Sequence, residues 1–300
     1  METLESLRTK LESAADINAV VKTMKAVAAS NINQYELAVA SLGDYYRTIS
    51  LGLAAYFKSE KINTTNKKTE PKNKNENLSG GIVFGSDQGL VGRFNDSLAD
   101  FVSKSLHAVP GKKEIWSVGE RIQLLLSDVG LNTTKLFTVP NAVNAITSLV
   151  GEILIKAQES MEKEGITTLY IFHNQPKEGA GYVPVMQQLL PLDEKWQHEF
   201  SDMTWPTKKL PQIAGRAEPT LFALIREYLF VSLFKACAES LASENASRLS
   251  AMQRAEKNIE ELLGDLHNTF NRLRQSSIDE ELFDVVSGFE ALKKESTHKN

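Results

Sequence analysis

The sequence predicts an α/β domain set between two long terminal helices, and three observations predict it. All nine prolines fall between Pro71 and Pro219, so residues 1–70 and 220–300 contain none. Thirteen of the 17 glycines lie between Gly80 and Gly215, leaving only Gly43, Gly52, Gly264 and Gly288 outside. Proline costs a helix interior about 3 kcal/mol and glycine about 1, so the ends are built as long helices and the middle is built to turn. The third observation is periodicity: apolar residues step by three and four at both ends, while short β-rich runs alternate with helical patterns between them.

In the first segment Leu4, Leu7, Leu11, Ala14, Ile17, Val21, Met24 and Ala28 form a stripe whose average spacing of about 3.5 residues is that of a coiled-coil seam. Tyr35, Leu42, Ile49, Leu53 and Tyr56 extend it less regularly. Residues 59–78 interleave five lysines with five asparagines and carry little to bury, which reads as a solvated linker. GGIVFG (80–85), EIWSV (114–118), KLFTV (135–139) and TTLYIFH (167–173) read as strands. The helical patterns NDSLADFVSKSLHAV, GERIQLLLSDVG and NAVNAITSLVGEILIKAQESMEKEG separate them, the last ending at Gly165 as a C-cap would. Strand and helix in alternation imply a largely parallel sheet with crossover helices. YVPVMQQLLPL (182–192), arriving after the turn-rich QPKEGAG, is expected to return antiparallel at an edge.

After Pro219, suited to a first helical turn, the last segment carries Leu221, Leu224, Tyr228, Val231, Phe234, Leu241, Met252, Ile259, Leu262, Leu266, Phe270, Leu273, Ile278, Leu282, Val285, Phe289 and Leu292. The two end helices would span roughly 85 and 115 Å. This divides the chain into an N-terminal helix (1–58), a linker (59–78), an α/β domain (79–215) and a C-terminal helix (216–300).

Composition narrows the function. The 300 residues hold 34 Lys plus Arg against 38 Asp plus Glu, a net charge of −4, with 42% hydrophobic residues and a single cysteine. Disorder, collagen-like structure and a disulfide scaffold are excluded. Cys237 alone closes no internal disulfide, which fits a reducing, cytosolic setting. No run approaches the roughly 18 apolar residues of a membrane span, and METLESLRTKLESAAD is too charged for a signal peptide; membrane association would come through a partner.

Catalytic signatures are thin. GSDQGLVGR (85–93) sits between a strand and a helix, where phosphates bind, but Gly92 is followed by Arg93 and Phe94 instead of the Lys and Ser or Thr of a Walker loop. Its Gly85, Gly89 and Gly92 do not supply a dinucleotide fingerprint either, so a glycine-bearing turn is the favoured reading. The histidines 107, 173, 198, 267 and 298 form no metal-spaced pair. No catalytic residue, cofactor site or metal site is expected. Residues 236–251, ACAESLASENASRLSA, are rich in Ala and Ser, which lets another helix approach closely. Asn245 and Arg248 stand where apolar residues would suit a simple coil, so this stretch is either a locally imperfect coil or a face that touches another chain.

At this point the residues resemble a known family. ENASRLSAMQRAEKNIEELLGDLHNTFNRLRQSSIDEELFDVVSGFEAL (244–292) is similar, without a gap, to the C-terminal helix of the gamma subunit of rotary F-type ATP synthases. VVKTMKAVAAS (20–30) resembles that family's N-terminal helix, GIVFGSDQGLVGRFN its first strand and loop, and QQLLPL its late strand. The resemblance implies a central rotor whose terminal helices wind into an antiparallel coiled coil, with a central Rossmann-like α/β domain at the foot. Its implied partners are the alpha and beta subunits of the catalytic hexamer, the epsilon subunit and the membrane c-ring, with no nucleic acid and no direct small-molecule substrate. Met24 and Lys25 would lie near the beta subunits' moving lobe. Glu244, Arg248, Arg274, Gln275 and Glu281 match polar positions used for contact with the ring or for bracing the coil, and Asp279 stands where the family usually has Thr. SNINQYE in place of a basic run, Val91 in place of Cys, Arg93 in place of Gly, the long Lys/Asn linker and the trailing KKESTHKN are departures that point to a divergent bacterial branch such as the alternative F-type ATPases.

Two rivals come from other classes. An α/β enzyme or RNA-binding protein with a coiled-coil arm would need a basic stripe on that arm, whereas this coil mixes Glu and Lys on an acidic chain. A plain structural spacer is the other.

Overall fold

The structure, a computed structural model, describes residues 3–60, 78–177, 181–192, 200, 202–207, 209 and 217–297; side chains are described to residue 58 on the first helix and 288 on the last. Most of the expected Lys/Asn linker lies outside the described residues. In chain order the elements are α1 (Leu4–Glu60), β1 (Leu78–Phe84), α2 (Phe94–Ala108), β2 (Lys112–Val118), α3 (Glu120–Asp128), β3 (Thr133–Phe137), α4 (Val143–Lys163), β4 (Ile166–Lys177), β5 (Gly181–Leu190) and α5 (Ala217–Thr297). The chain divides into two compact bodies, Met1–Ala26 with Ala251–Asn300 and Val27–Ser250.

In the larger body five strands form one sheet in the order β3-β2-β1-β4-β5. β1 pairs parallel with both β2 and β4, and β2 with β3. β5 returns antiparallel on β4, as the turn-rich QPKEGAG predicts. Strand alternation sorts the core. Val83, Ile115 and Phe172 face α2 and α3 and meet Leu98, Val102, Leu106, Ile122 and Leu126. Their neighbours Ile82, Phe84, Trp116, Val118 and Ile171 face the opposite way and meet Ile146, Val150 and Ile153 of α4.

That second face also packs against α1 through Tyr35 and Ala38 and against α5 through Leu233, Ala236, Cys237, Ala238, Leu241 and Ala242. Of the Ala/Ser-rich stretch, residues 246–250 are half-buried. Residues 236–245 are buried within this body, because short side chains let α5 lie close on the sheet. In the same body Asn31 donates to Asn245 (3.5 Å) and the Tyr45 hydroxyl to Glu227 (2.6 Å), so α1 and α5 run antiparallel.

In the smaller body Lys22 and Lys25 of α1 pair with Glu256 and Glu260 of α5, again with opposite polarity. The buried positions of α1 refine the expected seam. Leu7, Ala14 and Val21 are buried, and Leu4, Leu11 and Asn18 are half-buried between them. Ile17 is 56% exposed and lies outside the seam, which passes through Asn18 instead because strict alternation of three- and four-residue steps demands that position. On α5 Leu262 is likewise outside, half exposed, and Leu263 takes the inward place.

Candidate functional site

β1 is the point where strand order reverses, with β2 on one side and β4 on the other, and in open α/β sheets ligands bind at the carboxyl ends of strands flanking such a point. Here that place is filled by the chain itself. One carboxylate oxygen of Asp87 accepts the Glu120 backbone N–H at the start of α3 (3.0 Å), and the other accepts the Val139 N–H beyond β3 (3.2 Å). An anion belongs at a helix N-terminus, and Asp87 supplies it. Ser86 is locked to Asn95 on both sides: its N–H donates to Asn95 Oδ1 (3.0 Å) and Asn95 Nδ2 donates to its hydroxyl (2.8 Å). Two glycines make the crowding possible. A Cβ on Gly85 would lie 2.2 Å from Ile122 Cβ, and a Cβ on Gly119, at φ +114°, would lie 2.5 Å from the Ser86 carbonyl oxygen. The start of the loop 85–93 is tightly packed, while residues 88–90, 92 and 93 are exposed.

Next to this turn a ladder of hydroxyls joins α5 to the sheet. Ser240 donates to the Phe84 carbonyl at the end of β1 (2.8 Å), Ser243 to the Asn174 carbonyl on β4 (2.9 Å), and Ser247 to the Val91 carbonyl in the loop (2.6 Å). Asn174 in turn donates to the Phe94 carbonyl at the start of α2 (3.1 Å). Steps of three and four residues put the three serines on one helical face. They are a seam written in hydroxyls, where the carbonyls at strand ends need donors.

Two buried polar pairs flank the ladder. His173 of β4 meets Glu239 of α5 at 2.9 Å, both over 90% buried, with Lys235 3.8 Å from the same carboxylate. Burial alone would raise the Glu239 carboxyl; the hydrogen bond and charge of His173, with Lys235 and Gln175, outweigh it and hold the carboxyl below its ordinary value. Arg248 donates to Glu244 at 2.6 Å within α5. For Glu244 the balance falls the other way: burial, with a smaller contribution from Asp87, raises its carboxyl despite Arg248. Burial likewise pushes the Cys237 thiol up, with Glu244 adding to it, so it is an inert core residue.

The other sequence-singled residues lie on the smaller body. Met24 and Lys25 are half-buried, and Lys25 is bound to Glu256. Arg274, Gln275, Asp279 and Glu281 are exposed along α5. So are the apolar Ile278, Leu282, Phe283, Val285 and Val286, from 50 to 73%; the Phe289 and Leu292 side chains lie outside those described. The site residues thus separate into a buried Glu244–Arg248 pair on the larger body and an exposed set on the smaller one. Sequence reasoning missed the serine ladder and the His173–Glu239 pair. The ladder left a signal in the 240, 243, 247 spacing; the pair left none, because 66 residues separate its members. Among the described residues no group of three His, Cys, Asp or Glu could hold a metal ion. What the arrangement does is tie a long helix to a sheet.

Comparison with known proteins agrees with this geometry. The chain is similar over nearly its full length to the ATP synthase gamma chains of Christiangramia forsetii (27% identity, 97% of this chain and 99% of that one) and Chloroherpeton thalassium (28%, 98% and 99%). Among solved structures it resembles in fold a chain of the Euglena gracilis mitochondrial ATP synthase rotor (TM-score 0.62, 19% identity, 92% of this chain and 98% of that one). It also resembles one from the central stalk and c-ring of the Tetrahymena thermophila mitochondrial enzyme (0.54, 22%, 79% and 99%). Two long helices packed on an α/β sheet and a family model for ATP synthase matching residues 3–292 lead to one conclusion: the chain belongs to the ATP synthase family, on its gamma-chain side.

Proposed function

We infer that this chain is the central rotor shaft of an F-type ATP synthase, coupling ion flow through the membrane c-ring to ATP synthesis or hydrolysis in the alpha/beta hexamer. The observation that carries this reading is the buried attachment of α5 to the α/β domain, three serine hydroxyls on three backbone carbonyls, in a chain whose whole-length relatives are gamma chains. A torque applied to the sheet passes to the helix through fixed groups. A shaft with a chemically uneven surface presents a different face to each catalytic subunit, and its angle biases each between open and closed states by differential contact energy.

Nucleotide is bound and cleaved on other subunits; this chain's own crevice holds Asp87. Met24, Arg274, Gln275, Asp279 and Glu281 meet the alpha/beta ring, supported by the exposure of the last four, while Glu244 and Arg248 brace the helix from within. The epsilon subunit and the c-ring engage the α/β domain. Among the described residues no helix is long and apolar enough to cross a membrane; the chain is held at the cytoplasmic face of the bacterial plasma membrane by the complex. Co-expression with alpha and beta subunits tests the assignment. The chain should co-purify with the hexamer, and a bead fixed to its α/β domain should rotate as ATP is hydrolysed. ATP turnover by the isolated chain, or a hexamer that excludes it, would overturn it.

A further inference from the structure

Two carboxyl groups meet at the outer edge of the sheet. The pairing of β2 with the edge strand β3 shifts register between Ile115 and Trp116, which makes Thr134 the extra residue of a bulge. The Thr134 hydroxyl donates to Glu114 Oε1 on β2 (3.2 Å), and the same oxygen accepts the indole N–H of Trp116 (2.6 Å). Glu114 is 9% exposed. It also shares a hydrogen bond with Glu164, the residue that ends α4. Lys156, two turns back on α4, donates to Glu164 Oε1 (3.1 Å) and lies over the Trp116 ring, 5.9 Å from its centre. One cation thus stands beside two acids.

A hydrogen bond between two carboxyl groups contains one proton, because an ionised carboxylate accepts and has nothing to donate. The surroundings decide which group holds it. Burial disfavours the charged form of Glu114 and, with Glu164 beside it, raises its carboxyl against the pull of Trp116 and Thr134. Glu164 reaches solvent and is held down to about 2 by the Ser160 hydroxyl, the Glu114 hydrogen bond and Lys156. Among the elements around the pair, α4 contributes Lys156, β3 contributes Lys135, which is committed to Glu152 of α4 at 3.7 Å, and β1 presents Gly80 opposite Glu114. We propose that Glu114 carries a proton that it donates to Glu164, and that this shared proton latches the β3 bulge and the end of α4 to β2. When the proton leaves to solvent, two anions face each other over a single lysine and the latch opens. Glu114, whose folded value is raised, contributes stability that is present below the ordinary carboxylate value and lost as pH rises through the raised one. Glu164, whose value is depressed, contributes stability that is present above the ordinary value and lost as pH falls through about 2. The latch is closed between those two limits. It belongs to the α/β domain itself and holds whether or not the chain serves as a rotor.

The test reads the proton and the latch separately. The full-length chain, isotope-labelled at its glutamate carboxyl carbons, is titrated by NMR, with Glu114→Gln and Glu164→Gln assigning the two signals. In the native chain Glu114 should titrate above the ordinary carboxylate range and Glu164 below it. In Glu164→Gln the new side-chain amide donates to Glu114 and Lys156 is released from its acid, so the Glu114 titration should drop back toward the ordinary range. A Glu114 titration that stays raised in Glu164→Gln would mean a solitary buried acid, and an ordinary titration in the native chain would mean two anions on one lysine; either result overturns the shared proton. Amide exchange reads the latch. After division by the intrinsic rate, protection of residues 133–137 should fall about tenfold as pH rises through the Glu114 titration, roughly the effect of losing one buried hydrogen bond, while β4 keeps its protection. Glu114→Gln, which keeps a donor toward Glu164 at every pH, should abolish that fall. The same loosening of β3 in Glu114→Gln would show that the edge opens without the shared proton and would overturn the latch.

Discussion

Single residues in this chain are constrained by crowding and by buried charge. Gly85 has no room for a methyl group, since the added Cβ would sit 2.2 Å from the Cβ of Ile122, a buried β-branched residue on α3 that has nowhere to go. Gly85→Ala should destabilise the chain by about 3 kcal/mol, in the range of overpacking strain in a filled core, measured as a lowered urea midpoint with unchanged slope. The His173–Glu239 pair is constrained by charge. Its carboxyl is held below the ordinary value in the folded chain, so the stabilisation is fully present above about pH 4.5, the ordinary carboxylate value, and is lost as pH falls through the depressed one. Glu239→Gln should therefore cost about 2 kcal/mol at neutral pH, typical of losing a hydrogen bond to a charged group. The gap between variant and native chain should close on acidification. Denaturation at pH 7 and pH 3.5 checks the sign, and a gap that widens in acid would contradict it.

At the scale of elements, the attachment of α5 to the sheet is the feature on which the proposed transmission of torque depends. Ser240 and Ser243 satisfy carbonyls on two different strands, β1 and β4, so they tie the helix across the sheet and not to one edge of it. Replacing both by alanine removes two buried hydrogen bonds and leaves the Phe84 and Asn174 carbonyls without these donors. The expected loss is about 2 kcal/mol, near 1 for each bond. Amide hydrogen exchange should show faster opening of residues 236–245 than of β2, which keeps its partners. Equal acceleration everywhere would mean that the serines support global stability alone. α3 is held differently: Asp87 caps it from a distant loop, so its position depends on the same turn that packs under α5.

For the whole molecule, function is a matter of which faces other subunits meet. Arg274 and Gln275 are exposed, and on the described chain neither supports the fold. Arg274→Ala with Gln275→Ala should leave the melting curve within about 0.5 kcal/mol of native, as surface substitutions do, while lowering ion-driven ATP synthesis in the assembled complex. Unchanged synthesis would remove these positions from the contact set. Glu244 and Arg248 are predicted to behave in the opposite way, as fold determinants, since both are largely buried and joined to each other.

Much of this protein was legible in its sequence because the signals were local. Proline and glycine placement marked the two helices, since a breaker acts on its own turn. β-rich runs alternating with helical patterns marked the parallel sheet, and the missing Walker lysine marked the loop at 85–93 as a turn. The contiguous 244–292 pattern marked the family. What remained hidden depends on residues distant in the chain. That the first part of the Ala/Ser stretch of α5 lies on the chain's own sheet was decided only by folding, which brought Ser240 within reach of Phe84 across 156 positions. That Asn18 and not Ile17 is in the seam, and that Lys25 faces Glu256, required the partner helix to be in place. A periodic pattern states which face of a helix is buried; only tertiary contact decides what it is buried against.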